Sequence, residues 1–374
     1  MMKKLSLFLV IALLVLSFGS ISFAAEEVKI GVILPMTGAV AAFGQMTWEG
    51  IELANELRPT VLGKPVKLIL LDNKSDKVEA ANTASRLIEK EHVVAAIGAV
   101  ASSNTLSAAP IFEKAKVPLI TPASTNPLVT QGRKFIFRAC FIDPFQGQVA
   151  AKFAINNLKA KKAAILVDIA QDYCVGLANF FEKNFKAMGG EIVSKTFCKT
   201  GDQDFSAQLT TIKAKNPDVI YIPNYYTEDA LIAKQAREMG ITAPLLSGDG
   251  AQAPQLIEIG GKAVEGMYYT THFNEKAVNT ELGKKYVEVY HKKFNKSPNA
   301  LGALGFDAYY ILLDAIERAG NLDPIKIRDG IAATKDFKGV TGTITIDEHG
   351  NAVKSAVIET VKNGKFEFVT VVNP

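Results

Sequence analysis

From Val28 onward, continuous apolar runs alternate with amphipathic stretches. That alternation restricts the chain to α/β architectures in which parallel sheets are covered on both faces. The first series reads "VKIGVILP", "PVKLILLD", "VVAAIGAV" and "VPLITPA", separated by helical patterns over 46–58, over 77–91 and after Ser102. A second series follows "FIFRACFIDPFQG". It has a helix over 146–158, "AAILVDI", a helix after Cys174, "EIVSKTFC", a helix over 205–215, "VIYIPN", a helix over 228–239 and "PLLSGDG". Two such series predict two α/β lobes, which suits a chain of 374 residues, long for a single core.

The C-terminal part breaks the alternation. "VEGMYYTTHF" reads as a strand, helical patterns cover 281–294 and 304–319, and "AVIETVKNGKFEFVTVV" reads as two strands turning at Asn363-Gly364, a type I′ hairpin signal. The late helices need a sheet to pack on, and the first lobe's sheet is available. The chain would then cross between lobes several times, which implies a hinge and a cleft. No low-complexity tract or short-period repeat occurs.

Residues 1–24 have the basic, apolar and small-residue zones of a secretory leader, with cleavage expected after Ala24. The apolar run is too short to span a bilayer, and no later stretch replaces it. The net charge is +4, and Lys3 and Lys4 leave with the leader, so the mature chain stands near +2. Its basic residues are scattered, which argues against a nucleic-acid partner. In an oxidising compartment two of Cys140, Cys174 and Cys198 can pair, and a Cys174–Cys198 bridge across neighbouring strands is one expectation, three free thiols the other. Four scattered histidines and no close cysteine spacing offer no metal-ligand set.

Ligands of open parallel sheets sit at the carboxyl ends of strands. The unusual residues gather there: "PMTGAVAAFG", "ASSNT" and "TPASTNP" in the first lobe, "QDYC", "PNYYTED" and "SGDGAQ" in the second. In the first lobe Ser102, Ser103, Thr121, Ser124 and Thr125, with backbone N–H groups at a helix start, suit a carboxylate. Helix capping and turn formation are the plainer alternatives for them. In the second lobe Tyr173, Tyr225 and Tyr226 provide apolar walls with polar tips, and Asp249 provides an acceptor for an ammonium. A simple Gly-Asp-Gly turn is the alternative there. Phe43 is a binding aromatic or plain core. Together the clusters describe a site for a zwitterionic α-amino acid.

An enzyme is disfavoured. The glycine-rich nucleotide fingerprints and Gly-x-Ser-x-Gly are missing, so no cofactor is expected. None of His92, His272, His291 and His349 lies in a strand-end cluster. Asp143, Asp168 and Asp172 are acids without a nucleophile to activate, better suited to hinge or strand-end roles.

"VKIGVILPMTGAVAAFGQMTWEGIELANE", "AAIGAVASSNTLSAAPIFEKAKVPLITPASTNP", "FIFRACFIDPFQG" and "LGFDAYYILLDAIERAG" resemble the periplasmic branched-chain amino-acid-binding proteins of ABC importers, of the leucine/isoleucine/valine-binding type. The resemblance covers the whole mature chain. It implies a type I periplasmic-binding fold, with two Rossmann-like lobes joined by a three-strand hinge around a ligand cleft. The lobes would be 25–143 with 272–350, and 144–271 with 351–374. It implies a monomeric, non-enzymatic periplasmic protein that closes on an amino acid, branched-chain or aromatic, and delivers it to a membrane permease. By motif, Ser102, Ala123, Ser124 and Thr125 correspond to the carboxylate clamp, with Ala123 also offering a carbonyl to the ammonium. Phe43, Tyr173 and Tyr225 correspond to the aromatics over the side-chain pocket. Asp249 stands where the family has an acid, often Glu. The family's first-lobe disulfide is absent. A sensory module of the same fold, or a binder of amides, urea or aromatic acids, is the competing expectation.

Overall fold

A computed structural model describes residues 27–374; the leader expected over 1–24 lies outside the described residues. The first apolar series forms strands β1 (Val28–Leu34), β2 (Thr60–Val61), β3 (Lys64–Asp72), β4 (Ala95–Gly98), β5 (Leu119–Thr121) and β6 (Ile136–Arg138). They make one six-stranded sheet in the order β2-β3-β1-β4-β5-β6, parallel except at the β2–β3 edge. Between them run α1 (Ala41–Leu57), α2 (Lys77–Glu89) and α3 (Ser102–Ala115). The strand order reverses direction at β1/β4, which is where a doubly wound sheet opens a crevice.

After β6 the chain crosses to the second series: α4 (Asp143–Asn156), β7 (Lys162–Asp168), α5 (Asp172–Ala187), β8 (Glu191–Cys198), α6 (Ser206–Lys215), β9 (Val219–Tyr221), α7 (Tyr226–Glu238), β10 (Leu245–Ser247), α8 (Pro254–Gly260) and β11 (Tyr268–Thr271). It crosses back for α9 (Glu281–Phe294), α10 (Ala300–Ala319), α11 (Pro324–Ala332) and the small sheet β12 (Phe337–Gly339), β13 (Gly342–Ile346), β14 (Ala352–Val353). A third crossing leads to β15 (Ala356–Lys362) and β16 (Lys365–Val372). The second sheet has the order β16-β15-β11-β10-β9-β7-β8, parallel from β8 to β11, with the hairpin added antiparallel on β11. Its turn residues Asn363 and Gly364 take φ of 53° and 67°, the left-handed values a type I′ turn requires.

Helix α10 packs along α1 on the first lobe. A Cβ on Gly50 would stand 1.8 Å from the Gly302 carbonyl oxygen, so the two helices approach to a distance only glycine permits. That contact seats the first turn of α10, with Leu301, beside the cleft. Arg138, at the end of β6, is wholly buried and donates to the carbonyls of Ser124 (2.6 Å) and Asn126 (3.0 Å) and to Thr130 Oγ1 (3.1 Å). It therefore fixes the "TPASTNP" loop from beneath.

Three expectations are corrected. Helix α1 starts at Ala41, five residues before the expected 46, because Gly44 interrupts the apolar signal while fitting tightly against the Pro35 carbonyl. Phe43 is thus in the first turn of the helix. Helix α10 starts at Ala300, not 304, capped by Asn299, whose Oδ1 accepts from Gly302 N at 2.8 Å. And all three cysteines are free and buried; Cys174 sits in the first turn of α5, and no bridge to Cys198 exists. Burial pushes the Cys140 thiol up to about 12, so it is unreactive. Titration of the denatured, unreduced mature protein with a thiol reagent is expected to find three thiols; one thiol would mean a disulfide.

Among the described residues no helix is long and apolar enough to cross a membrane.

Candidate functional site

The strand ends of the two sheets face each other across a cavity of about 300 Å³. Its wall is made by Phe43, Val100, Ala101, Ser102, Ala123 and Leu301 of the first lobe and by Tyr173, Tyr225, Asp249 and Gly250 of the second.

On the first-lobe side the chain leaves β4 through Val100, a β-branched residue at φ 77°. Such a conformation costs about 1–3 kcal/mol and is found where the surroundings enforce it. The turn brings α3 to the cavity with Ala101 in the cap position. Alanine offers no side-chain acceptor, so α3 has no side-chain cap. Asn104 N and Thr105 N bond to the Ala101 carbonyl, at 3.1 and 3.0 Å. The N–H groups of Ser102 and Ser103 belong to the helix's orphan donors. Ser102 Oγ accepts from Asn126 N at 3.2 Å, which leaves its own O–H to donate. Capping, the plain explanation for this serine-rich start, is therefore not what Ser102 does.

The remaining hydroxyls divide. Ser124 does not line the cavity. Its Oγ donates to the Val100 carbonyl (2.7 Å), receives from Thr121 Oγ1 (2.8 Å) and meets Thr105 Oγ1 (2.6 Å), so it ties the β4 and β5 loops together beneath the site. Ser103 leaves the cavity as well: it donates to Asp172 Oδ2 (2.8 Å) and accepts from Asp172 N (2.9 Å), a contact between lobes. Lys77 Nζ lies 3.2 Å from the same carboxylate, and Asn126 Nδ2 donates to the Asp172 carbonyl at 2.7 Å. Thr125 is buried behind the wall, and its hydroxyl has no partner among the described residues.

On the second-lobe side Tyr173 and Tyr225 stack at 5.4 Å, and the Tyr225 ring meets Phe43 edge-on at 5.6 Å across the cleft. Tyr226, next to them, also packs on Phe43 (5.0 Å), and its hydroxyl donates to the Ala39 carbonyl at 3.2 Å. The Tyr173 hydroxyl accepts from Gly250 N at 3.1 Å, while the Tyr225 hydroxyl is buried with no partner among the described residues. Burial holds both phenols well above their usual range, so they stay neutral.

Asp249 begins the short turn after β10 and reaches the cavity from the second lobe. Gln146 Nε2 donates to its Oδ1 at 2.7 Å, and His272 Nε2 stands 3.0 Å from its Oδ2. Neither partner was visible in the sequence. Gln146 lies in the first turns of α4, and His272 immediately follows β11, outside every polar cluster. Asp143, the first residue of α4, is fully buried, with neither carboxyl oxygen bonded to a described residue. Among the described residues no group of acids, histidines and cysteines could hold a metal ion.

The cavity is thus lined by neutral N–H and O–H donors from the first lobe, by a carboxylate from the second, and by aromatic and aliphatic side chains from both. Residues 27–365 match the family model described as periplasmic binding protein. A leucine-binding protein of Thermotoga maritima is 58% identical, with a TM-score of 0.92 over 93% of this chain and 99% of that one. The branched-chain amino acid transporter substrate-binding protein of Streptococcus pneumoniae, solved with isoleucine, is 34% identical, with a TM-score of 0.88 over 93% and 100%. The leucine-, isoleucine-, valine-, threonine- and alanine-binding protein of Pseudomonas aeruginosa is 31% identical over 91% of each chain.

Proposed function

Because the chain belongs to the periplasmic binding protein family, we propose that it captures a branched-chain α-amino acid between its lobes and delivers it to the membrane permease of an ABC importer. The observation that carries this reading is that one cavity is lined both by an uncapped helix start of the first lobe and by a buried acid of the second. A zwitterionic α-amino acid, with both charged groups on one carbon, satisfies the two at once. The Ser102 and Ser103 N–H groups and the Ser102 hydroxyl take the carboxylate, and Ala123 completes the clamp, with Thr125 buried behind it. Asp249 takes the ammonium. Phe43, Tyr173, Tyr225 and Leu301 enclose the side chain. Ser124 acts indirectly, by holding the loops that carry the clamp.

The lobes of this reading are 25–143 with 272–350 and 144–271 with 351–374, and they close about the three crossings. The bonds of Ser103 and Lys77 to Asp172 belong to the closed form. The mature chain acts as a monomer in the periplasm, after loss of the 1–24 leader. It is not an enzyme: among the described residues no base accepts from the Ser102 hydroxyl, and His272 is taken up by Asp249, so no nucleophile is activated. The leucine and isoleucine named for its relatives support the choice of side chain.

A thermal-shift screen of ligand-free protein against the twenty amino acids tests the reading. Leucine, isoleucine or valine at a hundred times its Kd is expected to add about 2.7 kcal/mol of stability, a rise in Tm of a few degrees. A panel in which no amino acid shifts Tm, while a carboxylic acid lacking the amino group does, would overturn it.

A further inference from the structure

We propose that His272 is a positioning residue for ammonium recognition: together with Gln146 it pins both carboxylate oxygens of Asp249, so that the acid meets the ligand with its orientation and its charge intact. The inference rests on the amino-acid reading of the cavity and adds to it the residues that make Asp249 effective.

The geometry is that of a clamp. Gln146 Nε2 holds Oδ1 at 2.7 Å and uses its other N–H on Thr270 Oγ1 at 2.9 Å, so its amide is itself oriented. His272 Nε2 holds Oδ2 at 3.0 Å, and its ring stacks on Phe141 with centroids 3.7 Å apart and planes 28° from parallel. The ring has no freedom to turn. Nε2 faces a carboxylate oxygen, which only accepts, so the neutral ring carries its proton there, and Nδ1 is buried without a partner among the described residues. Burial lowers the imidazole's affinity for a second proton; Asp249 opposes that effect and Lys354 reinforces it.

A neutral donor is what distinguishes this arrangement. A lysine or arginine at the same place would hold Asp249 equally well and cancel its charge. An imidazole and an amide orient the carboxylate and leave a full negative charge for the ammonium, and each oxygen keeps a lone pair for it. Phe141 and His272 lie on two different crossings between the lobes, and Gln146 follows the first of them directly. The acid is therefore held by the hinge, while its own turn belongs to the second lobe.

A double-mutant cycle read by calorimetry with L-leucine tests this. His272→Phe keeps the stacking ring and removes the donor, and it is expected to weaken leucine binding at least tenfold. In an Asp249→Asn background the same change is expected to cost less than threefold, because the charge it serves is gone. A merely structural histidine would give equal losses in both backgrounds, and that result overturns the inference. His272→Gln, which supplies another neutral donor, is expected to retain more affinity than His272→Phe. If His272→Phe does not fold, the cycle with Gln146→Leu and Asp249→Asn asks the same question at the other oxygen, and additive losses there overturn the inference too. Failure of the wild type to bind any amino acid counts against the proposed function; leucine binding that His272→Phe leaves untouched counts against this inference alone.

Discussion

Replacing Asp249 with alanine lowers the affinity for leucine by about 2–5 kcal/mol, the usual cost of removing one partner of a shielded, hydrogen-bonded charge pair. That corresponds to a loss of roughly thirty-fold to several-thousand-fold in Kd. The loss is large because the ammonium would then be enclosed by aromatic rings with no counter-charge: Phe43, Tyr173 and Tyr225 surround the cavity, and both tyrosine hydroxyls are neutral. Asp249→Asn, which keeps a carbonyl acceptor but not the charge, falls between wild type and alanine. Gln146 and His272 lose an acceptor in the alanine variant, so the unliganded Tm is compared first to separate folding from binding. Calorimetry at neutral pH reads the affinity directly. A Kd within threefold of wild type for Asp249→Ala would remove the acid from the site and, with it, the reason to expect an amino acid there.

The architecture was largely legible because buried parallel strands are continuous apolar runs, and helices between them carry a 3.6-residue period. The 281–294 helix and the Asn363-Gly364 hairpin are read correctly for this reason, each having a strong local signal. What was not legible is short or non-local. Strands β12, β13 and β14 are three, five and two residues long, too brief to show any period. The site divides along the same line. Hydroxyl-rich and aromatic clusters at strand ends are visible in one dimension, but which member faces the cavity depends on side-chain direction. Thus Ala123 lines the wall while its neighbour Ser124 points into the loop network. The supports of Asp249 come from 103 residues before it and 23 residues after it, and no local pattern announces either. His272 stands one position past β11, in "VEGMYYTTHF", which reads in the sequence as a strand with no polar cluster.

Asp143 gives the second large expected effect, on stability and its pH dependence. It opens α4, immediately after the first crossing, and its carboxyl is fully buried with no partner among the described residues for either oxygen. Burial pushes its pKa up to about 8; the Thr125 hydroxyl, which lies close without making a hydrogen bond of normal geometry, and the charge of Arg138 oppose that push without offsetting it, and the charge of Asp249 adds to it. In the unfolded chain the same group titrates near its ordinary value of about 3.9. Between those two values the folded protein keeps a proton that the unfolded chain releases. The unfolded state binds fewer protons, so the contribution of Asp143 is fully present below about pH 4 and is lost as the pH rises toward 8, at up to about 1.4 kcal/mol per unit. Asp143→Asn is neutral throughout and carries no such slope. Urea unfolding of the two proteins between pH 4 and 9 is therefore expected to show a difference in ΔG that grows in favour of Asp143→Asn across pH 4–8, by roughly 3 kcal/mol or more, and is flat above 8. Any fixed cost of burying the amide shifts that curve without changing its slope. The other buried groups with displaced pKa values, Asp229 and Lys354 among them, are common to both proteins and cancel in the difference. A difference independent of pH would mean that Asp143 is solvated or paired when folded, and that the first crossing carries no buried acid.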